Sequence, residues 1–168
     1  ELNRSMRYSD IKIVLQEVPT EISLAFFITG CPLRCSGCHS AMEWKSSIGS
    51  ELTDEVLENF LKKYQLYISC VLFLGGEWYQ QTLIKHLKKI KESGFKTALY
   101  TGLEEKAVPI EILNHLDYLK YGSYQQQLGG LSSPKTNQNL INVKTKESLN
   151  KYFLQGGSND SLECTANQ

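Results

Sequence analysis

Ile22-Ser23-Leu24-Ala25-Phe26-Phe27-Ile28-Thr29-Gly30 runs directly into Cys31-Pro32-Leu33-Arg34-Cys35-Ser36-Gly37-Cys38-His39. The first half is apolar and rich in aromatic and branched residues, the composition of a strand. The second half gathers three thiols within eight residues, with glycines at 30 and 37 to ease a tight backbone. A reactive loop set at the end of a strand is the arrangement by which open and closed α/β folds place their chemistry.

Outward from this stretch the pattern alternates. Residues 11–18 and 21–28 read as two extended segments with a turn near Pro19-Thr20. Residues 53–64 carry Val56, Leu57, Phe60, Leu61 and Tyr64 on one helical face, with Thr53 placed as the cap and Asp54 and Glu55 at the positive end of the dipole. Residues 68–74 are continuously apolar, as a buried parallel strand requires. A helix with a lysine-rich outer face is expected over 80–93, stopped by Gly94; strands over 95–100, 117–121 and 140–143; and helices over 109–116 and 145–153. Strands alternating with helices predict an α/β fold with a mostly parallel sheet and right-handed crossovers. The polar segment 122–139, rich in Gln, Gly and Ser, is long enough for a functional loop.

With 168 residues the chain suits one domain and falls short of the about 250 that a closed eight-unit barrel takes. The expected architecture is an open partial (β/α) barrel of about five to six units. The domain is placed at 6–155. Met6 is read as the natural start, 1–5 as an added leader, and 156–168 as a linker and tag or a disordered tail. Eighteen basic residues balance eighteen acidic ones, which argues against a nucleic-acid or membrane-surface binder. No apolar run reaches membrane-spanning length, and no secretory signal opens the chain, so a cytoplasmic protein is expected.

The distribution of the five cysteines says more than their number. A disulfide framework spreads an even number along a secreted chain; Cys31, Cys35 and Cys38 instead sit together, as metal ligands in a reducing compartment do. Cys70 falls in an apolar run and reads as a small buried hydrophobe, and Cys164 lies in the tail. A 4Fe–4S cluster ordinarily takes four thiolates, so three on one loop leave one iron for a non-protein ligand. Zinc is the competing reading, though it wants two ligand pairs set apart. His39 adjoins Cys38, and His86 and His115 are expected at the surface or at helix ends. Unligated thiols are the third reading.

A second constellation follows strand 68–74: Gly75-Gly76-Glu77-Trp78. Paired glycines let a ligand approach the backbone, and a carboxylate beside them can take a charge-assisted bond from an ammonium. An ordinary strand–helix turn is the plain alternative. Thr101 closes the next strand, Lys120 lies on the one after, and Asn137-Gln138 precedes the last. Lys120 could be solvated, and Asn137-Gln138 could form an ordinary turn.

The C-x3-C-x2-C loop with the Gly-Gly-Glu turn one βα unit later resembles the radical S-adenosylmethionine (SAM) superfamily. Within it, the chain resembles most the activating proteins of anaerobic (class III) ribonucleoside-triphosphate reductase. That branch is suggested by Cys38-His39-Ser40-Ala41, by Trp44 and Gly49, and by Ser132-Ser133 leading to Asn137-Gln138. The match covers about residues 8–145. The resemblance implies that Cys31, Cys35 and Cys38 hold a 4Fe–4S cluster whose open iron is chelated by SAM. It implies that Gly75, Gly76 and Glu77 seat the SAM amino group, and that Gly37 and His39 approach the adenine. Thr101, Lys120, Asn137 and Gln138 would give further polar contacts, Lys120 to the SAM carboxylate and Asn137-Gln138 to ribose or carboxylate oxygens. Trp78 departs from the family, where a proline commonly follows the Glu. The implied activity is hydrogen abstraction from a glycine of the reductase by a 5′-deoxyadenosyl radical, with no catalytic side chain beyond cluster and SAM. The implied partners are the reductase's glycyl-radical subunit and an electron donor such as flavodoxin or ferredoxin. A small radical SAM enzyme acting on another glycyl-radical enzyme, a peptide or a nucleobase is the rival within the same class, and an electron-transfer or zinc-stabilised binding module is the alternative from another class.

Overall fold

A computed structural model describes residues 5–34 and 45–154. Strands β1 (Arg7–Val14) and β2 (Ser23–Ile28) form an antiparallel hairpin, with Val14 opposite Ser23 and Ile11 opposite Phe26. A connection this short can only return the chain antiparallel, so this pair is not part of the parallel series. The two-residue β3 (Ser50–Glu51) pairs with the start of β1. Then come α1 (Asp54–Tyr64), β4 (Cys70–Leu74), α2 (Gln80–Glu92), β5 (Lys96–Tyr100), α3 (Ile110–Leu113), β6 (Tyr118–Tyr121), β7 (Asn139–Asn142) and α4 (Lys151–Leu154).

Among the described residues seven strands form one open sheet in the order β3-β1-β2-β4-β5-β6-β7. Only β2, β4, β5 and β6 run parallel, and β7 returns antiparallel to β6. The mixed α/β architecture matches the expectation, but the parallel series has four strands rather than five or six units. Thr53 caps α1 as read, accepting the Val56 N–H at 3.2 Å.

Leu24, Phe26, Val71, Phe73, Leu99 and Leu119 point to the helices and meet Leu57, Leu83, Leu87 and Ile90 in a dry core. Phe26 and Phe73 stack at 5.7 Å across β2 and β4. The opposite face carries Ala25, Cys70, Leu72, Ala98 and Tyr118, closed over by Val18, Leu131 and Leu149. At its lower end Glu21 is saturated by Lys96 (2.5 Å), Ser69 (2.5 Å) and Tyr118 (3.0 Å). Burial raises that carboxyl's pKa, but these bonds outweigh it and hold the group below its ordinary range. At the upper end the register sets Phe27, Leu74, Tyr100, Lys120 and Leu140 in one row across the sheet.

Two expectations are corrected. Residues 145–153 do not form a helix. Asn142 Oδ1 accepts the N–H groups of Lys144 (3.0 Å) and Thr145 (3.1 Å), and Lys146 turns left-handed at φ 61°. Such local bonds offer the backbone an alternative to a helix, and only Lys151–Leu154 is helical. His86 is not at the surface: it is 1% exposed and bonds the Leu52 carbonyl at 2.9 Å through Nε2. Burial depresses its pKa, so the ring holds α2 against the β3–α1 junction as a neutral group. His115 sits partly exposed just past α3, as expected.

Candidate functional site

The C-terminal ends of the parallel strands converge on one rim. β2 ends at Thr29, whose N–H donates to the Arg7 carbonyl (2.9 Å) and whose hydroxyl donates to the Ile48 carbonyl (3.1 Å). Gly30 then turns left-handed at φ 90° and delivers Cys31, which is partly buried. Leu33 leans across the rim onto Gly102 beyond β5: a Cβ there would lie 2.7 Å from Leu33 Cδ1. The described start of the loop, residues 30–34, therefore passes from β2 over the end of β4. Cys35, Gly37, Cys38 and His39 lie outside the described residues. Among the described residues no three His, Cys, Asp or Glu side chains converge as a metal would need.

β4 ends in Gly75 and Gly76, both left-handed at φ 84° and 112°. The Gly75 N–H is tied to the Tyr100 carbonyl (2.9 Å), and Glu77 opens a short 3-10 turn, Glu77–Tyr79. The turn points the Glu77 carboxyl inward, where it is 9% exposed. Oε1 accepts the Thr101 hydroxyl at 2.6 Å; Oε2 is buried with no hydrogen-bond partner among the described residues. Burial raises the Glu77 pKa, and the Thr101 bond opposes that only in part. A buried carboxylate oriented through one oxygen and orphaned at the other is a costly arrangement unless a cation completes it.

Trp78 fills the turn. Its ring lies 2.5 Å from where a Gly75 Cβ would stand, and its indole N–H donates to the Thr29 carbonyl at 3.2 Å. Gly75→Ala is therefore expected to destabilise the protein by about 1–2 kcal/mol through left-handed strain alone, and to dislodge the indole as well. Urea unfolding of the two proteins checks the first effect, and Trp fluorescence checks the second.

The remaining candidates separate. Thr101, 6% exposed, commits its hydroxyl proton to Glu77 and accepts the Leu103 N–H at 3.1 Å, so it orients the carboxylate. Lys120 stands in the upper row with its ammonium 4.7 Å from the Tyr100 ring centroid, and burial pulls its pKa down to about 8. Asn137 and Gln138 each give an amide hydrogen to a main-chain carbonyl, of Ser123 (2.9 Å) and Gly122 (3.1 Å). Both side-chain oxygens are left buried without a partner. Their unmet need is for donors, so hydroxyls suit them and a carboxylate does not. Sequence reasoning missed the structural parts of Trp78 and Tyr100. A tryptophan in the place of the family's usual proline was the one available signal.

Cys31, a Gly-Gly turn and a buried, half-paired carboxylate share one rim at the open end of the parallel strands, an arrangement with the chemistry a cofactor site needs. Residues 21–151 match the model of the 4Fe-4S single cluster domain family, and the chain belongs to that family. It is also 39% identical over 102 residues to the pyruvate formate-lyase-activating enzyme of Clostridium pasteurianum, an alignment covering 57% of this chain and 43% of that protein. The chain thus spans less than half the length of this relative. Together the two findings support a 4Fe–4S cluster and SAM as the cofactors. Glu77 fits that pair, because its orphaned Oε2 has the chemistry that an ammonium group requires.

Proposed function

We propose that the protein activates the glycyl-radical subunit of anaerobic (class III) ribonucleotide reductase. The observation that carries the reading is the Glu77 oxygen left buried without a partner among the described residues, directly after the Gly-Gly turn. Cys31, Cys35 and Cys38 hold the cluster. Gly75 and Gly76 make the left-handed turn that aims Glu77, and Glu77 takes the SAM amino group. Lys120, half-buried and lying over Tyr100, takes the carboxylate. Asn137 and Gln138 offer their oxygens to ribose hydroxyls, and Gly37 and His39 serve the adenine. When bound, cluster and SAM supply a one-electron cleavage of the sulfonium and a carbon radical able to take hydrogen from a glycine Cα. Phe27 and Leu74 form an apolar floor on the inner face that keeps water away. The sheet does not close into a barrel, which leaves room for an extended peptide segment of a protein substrate.

Among the described residues no helix is long and apolar enough to cross a membrane. A reducing cytoplasm, with flavodoxin or ferredoxin as electron donor, completes the reading. The Ser132-Ser133 and Asn137-Gln138 pattern favours the reductase as substrate. The Clostridium relative favours a second reading, activation of a different glycyl-radical enzyme such as pyruvate formate-lyase. Anaerobic reconstitution, reduction and mixing with each candidate subunit separates the two. An EPR glycyl doublet is expected with the class III reductase. A doublet only with pyruvate formate-lyase would move the assignment to the second reading. No 5′-deoxyadenosine from fully loaded protein would leave an electron-transfer or binding module.

A further inference from the structure

We propose that Trp78 is a positioning residue that fixes the Glu77 turn to the cysteine loop, and so sets the placement of the SAM amino group relative to the cluster. The proposal rests on the reading of Glu77 given above. The two motifs leave neighbouring parallel strands, β2 and β4, and nothing in their own backbones joins them beyond Phe27 and Leu74, the last paired residues. Trp78 bridges them in two ways. Its N–H bonds the carbonyl of Thr29, two residues before Cys31. Its ring occupies the space over Gly75, two residues before Glu77.

Glycine at 30 is part of the same joint. A Cβ on Gly30 would meet Tyr79 Oη at 3.0 Å and Trp78 Nε1 at 3.3 Å. The two residues that follow Glu77 thus press against the residue that precedes Cys31. Their rings stand 6.0 Å apart, tilted by 53°, and form one wedge. Tyr79 is 9% exposed, so one side of the wedge is anchored in the core. Moving either turn breaks a hydrogen bond or opens a void, and the two turns therefore move together. Geometry held in this way is what catalysis by proximity demands.

The test compares the reconstituted parent with Trp78→Phe, which removes the N–H but keeps a ring, and Trp78→Leu, which removes the wedge as well. Three quantities are read: iron per chain, the SAM dissociation constant, and hydrogen exchange of a peptide spanning residues 29–31. Trp78→Phe is expected to keep the parent's iron content while binding SAM about 5-fold more weakly and exchanging about 5-fold faster at 29–31, the factor carried by one ordinary hydrogen bond. Trp78→Leu is expected to go further in both. A residue that merely fills space would leave Trp78→Phe at the parent's SAM affinity and exchange rate, and that result overturns the proposal. If the parent itself binds no SAM, the reading of Glu77 fails. The exchange comparison then stands alone, and unchanged exchange in both variants removes the tether too.

Discussion

Glu77→Gln is expected to weaken SAM binding by about 10- to 100-fold, the range of a charge-assisted bond lost from a dry site, and at the same time to make the cofactor-free protein more stable at pH 7. The opposite signs come from one cause. The Glu77 carboxyl is buried, with Oε1 bonded to Thr101 and Oε2 unpaired, and burial raises its pKa. A group with a raised folded pKa binds its proton more tightly folded than unfolded. Stability therefore falls as pH rises from the ordinary carboxylate range through the raised value, and the full penalty is present above it. Glutamine keeps the shape and the Thr101 bond. Its unpaired amide costs less than an unpaired charge, so Tm rises by a few degrees at pH 7 and the gain vanishes at pH 4. In the parent, SAM affinity should fall as acid protonates Glu77; in Glu77→Gln it should be flat across the same range. Calorimetric titration and thermal melts at several pH values measure both. A parallel loss of stability and affinity would make Glu77 an ordinary core contact.

This opposition explains which parts of the molecule the sequence discloses. The parallel strands are continuous apolar runs because both faces are buried, and residues 68–74 show it plainly. The cap at Thr53 and the stop at Gly94, left-handed at φ 88°, are local devices with local signatures. The Gly-Gly-Glu turn is also visible, because two adjacent glycines at a strand end mark a left-handed turn and a carboxylate follows them at once. The long-range choices are not visible. Residues 145–153 have helical periodicity, yet Asn142 and Asn150 spend their side chains on the backbone: Asn150 accepts the Leu140 N–H (2.9 Å) and donates to the Gln138 carbonyl (2.9 Å). His86 looks like one more polar residue on a lysine-rich helix, and only the packing of α2 on the β3–α1 junction buries it. Trp78 bonds a carbonyl 49 positions earlier in the chain. Neither partner carries any mark of the other.

Cys31→Ala and Cys70→Ala should give opposite results, although both remove one thiol. Cys31 follows a left-handed glycine on the rim, where the proposed site lies, and is partly exposed. Its loss leaves Cys35 and Cys38 as the loop's thiols. Iron per chain after anaerobic reconstitution should fall close to zero, with no 5′-deoxyadenosine formed, while the apo protein melts near the parent's temperature. Cys70 begins β4, wholly buried, and pairs in register with Ser23 and Lys96 at the opposite end of the sheet. Five residues of strand, about 16 Å, separate it from the rim. Burial pushes its thiol up to about 12, so it stays protonated where a metal would need a thiolate. Cys70→Ala should keep the parent's iron and SAM turnover and lose about 1 kcal/mol of stability to the small cavity it leaves. Iron analysis and urea unfolding of the two variants separate the outcomes. Equal iron loss in both would place a ligand at the wrong end of the strand and break the assignment of the cluster to the loop.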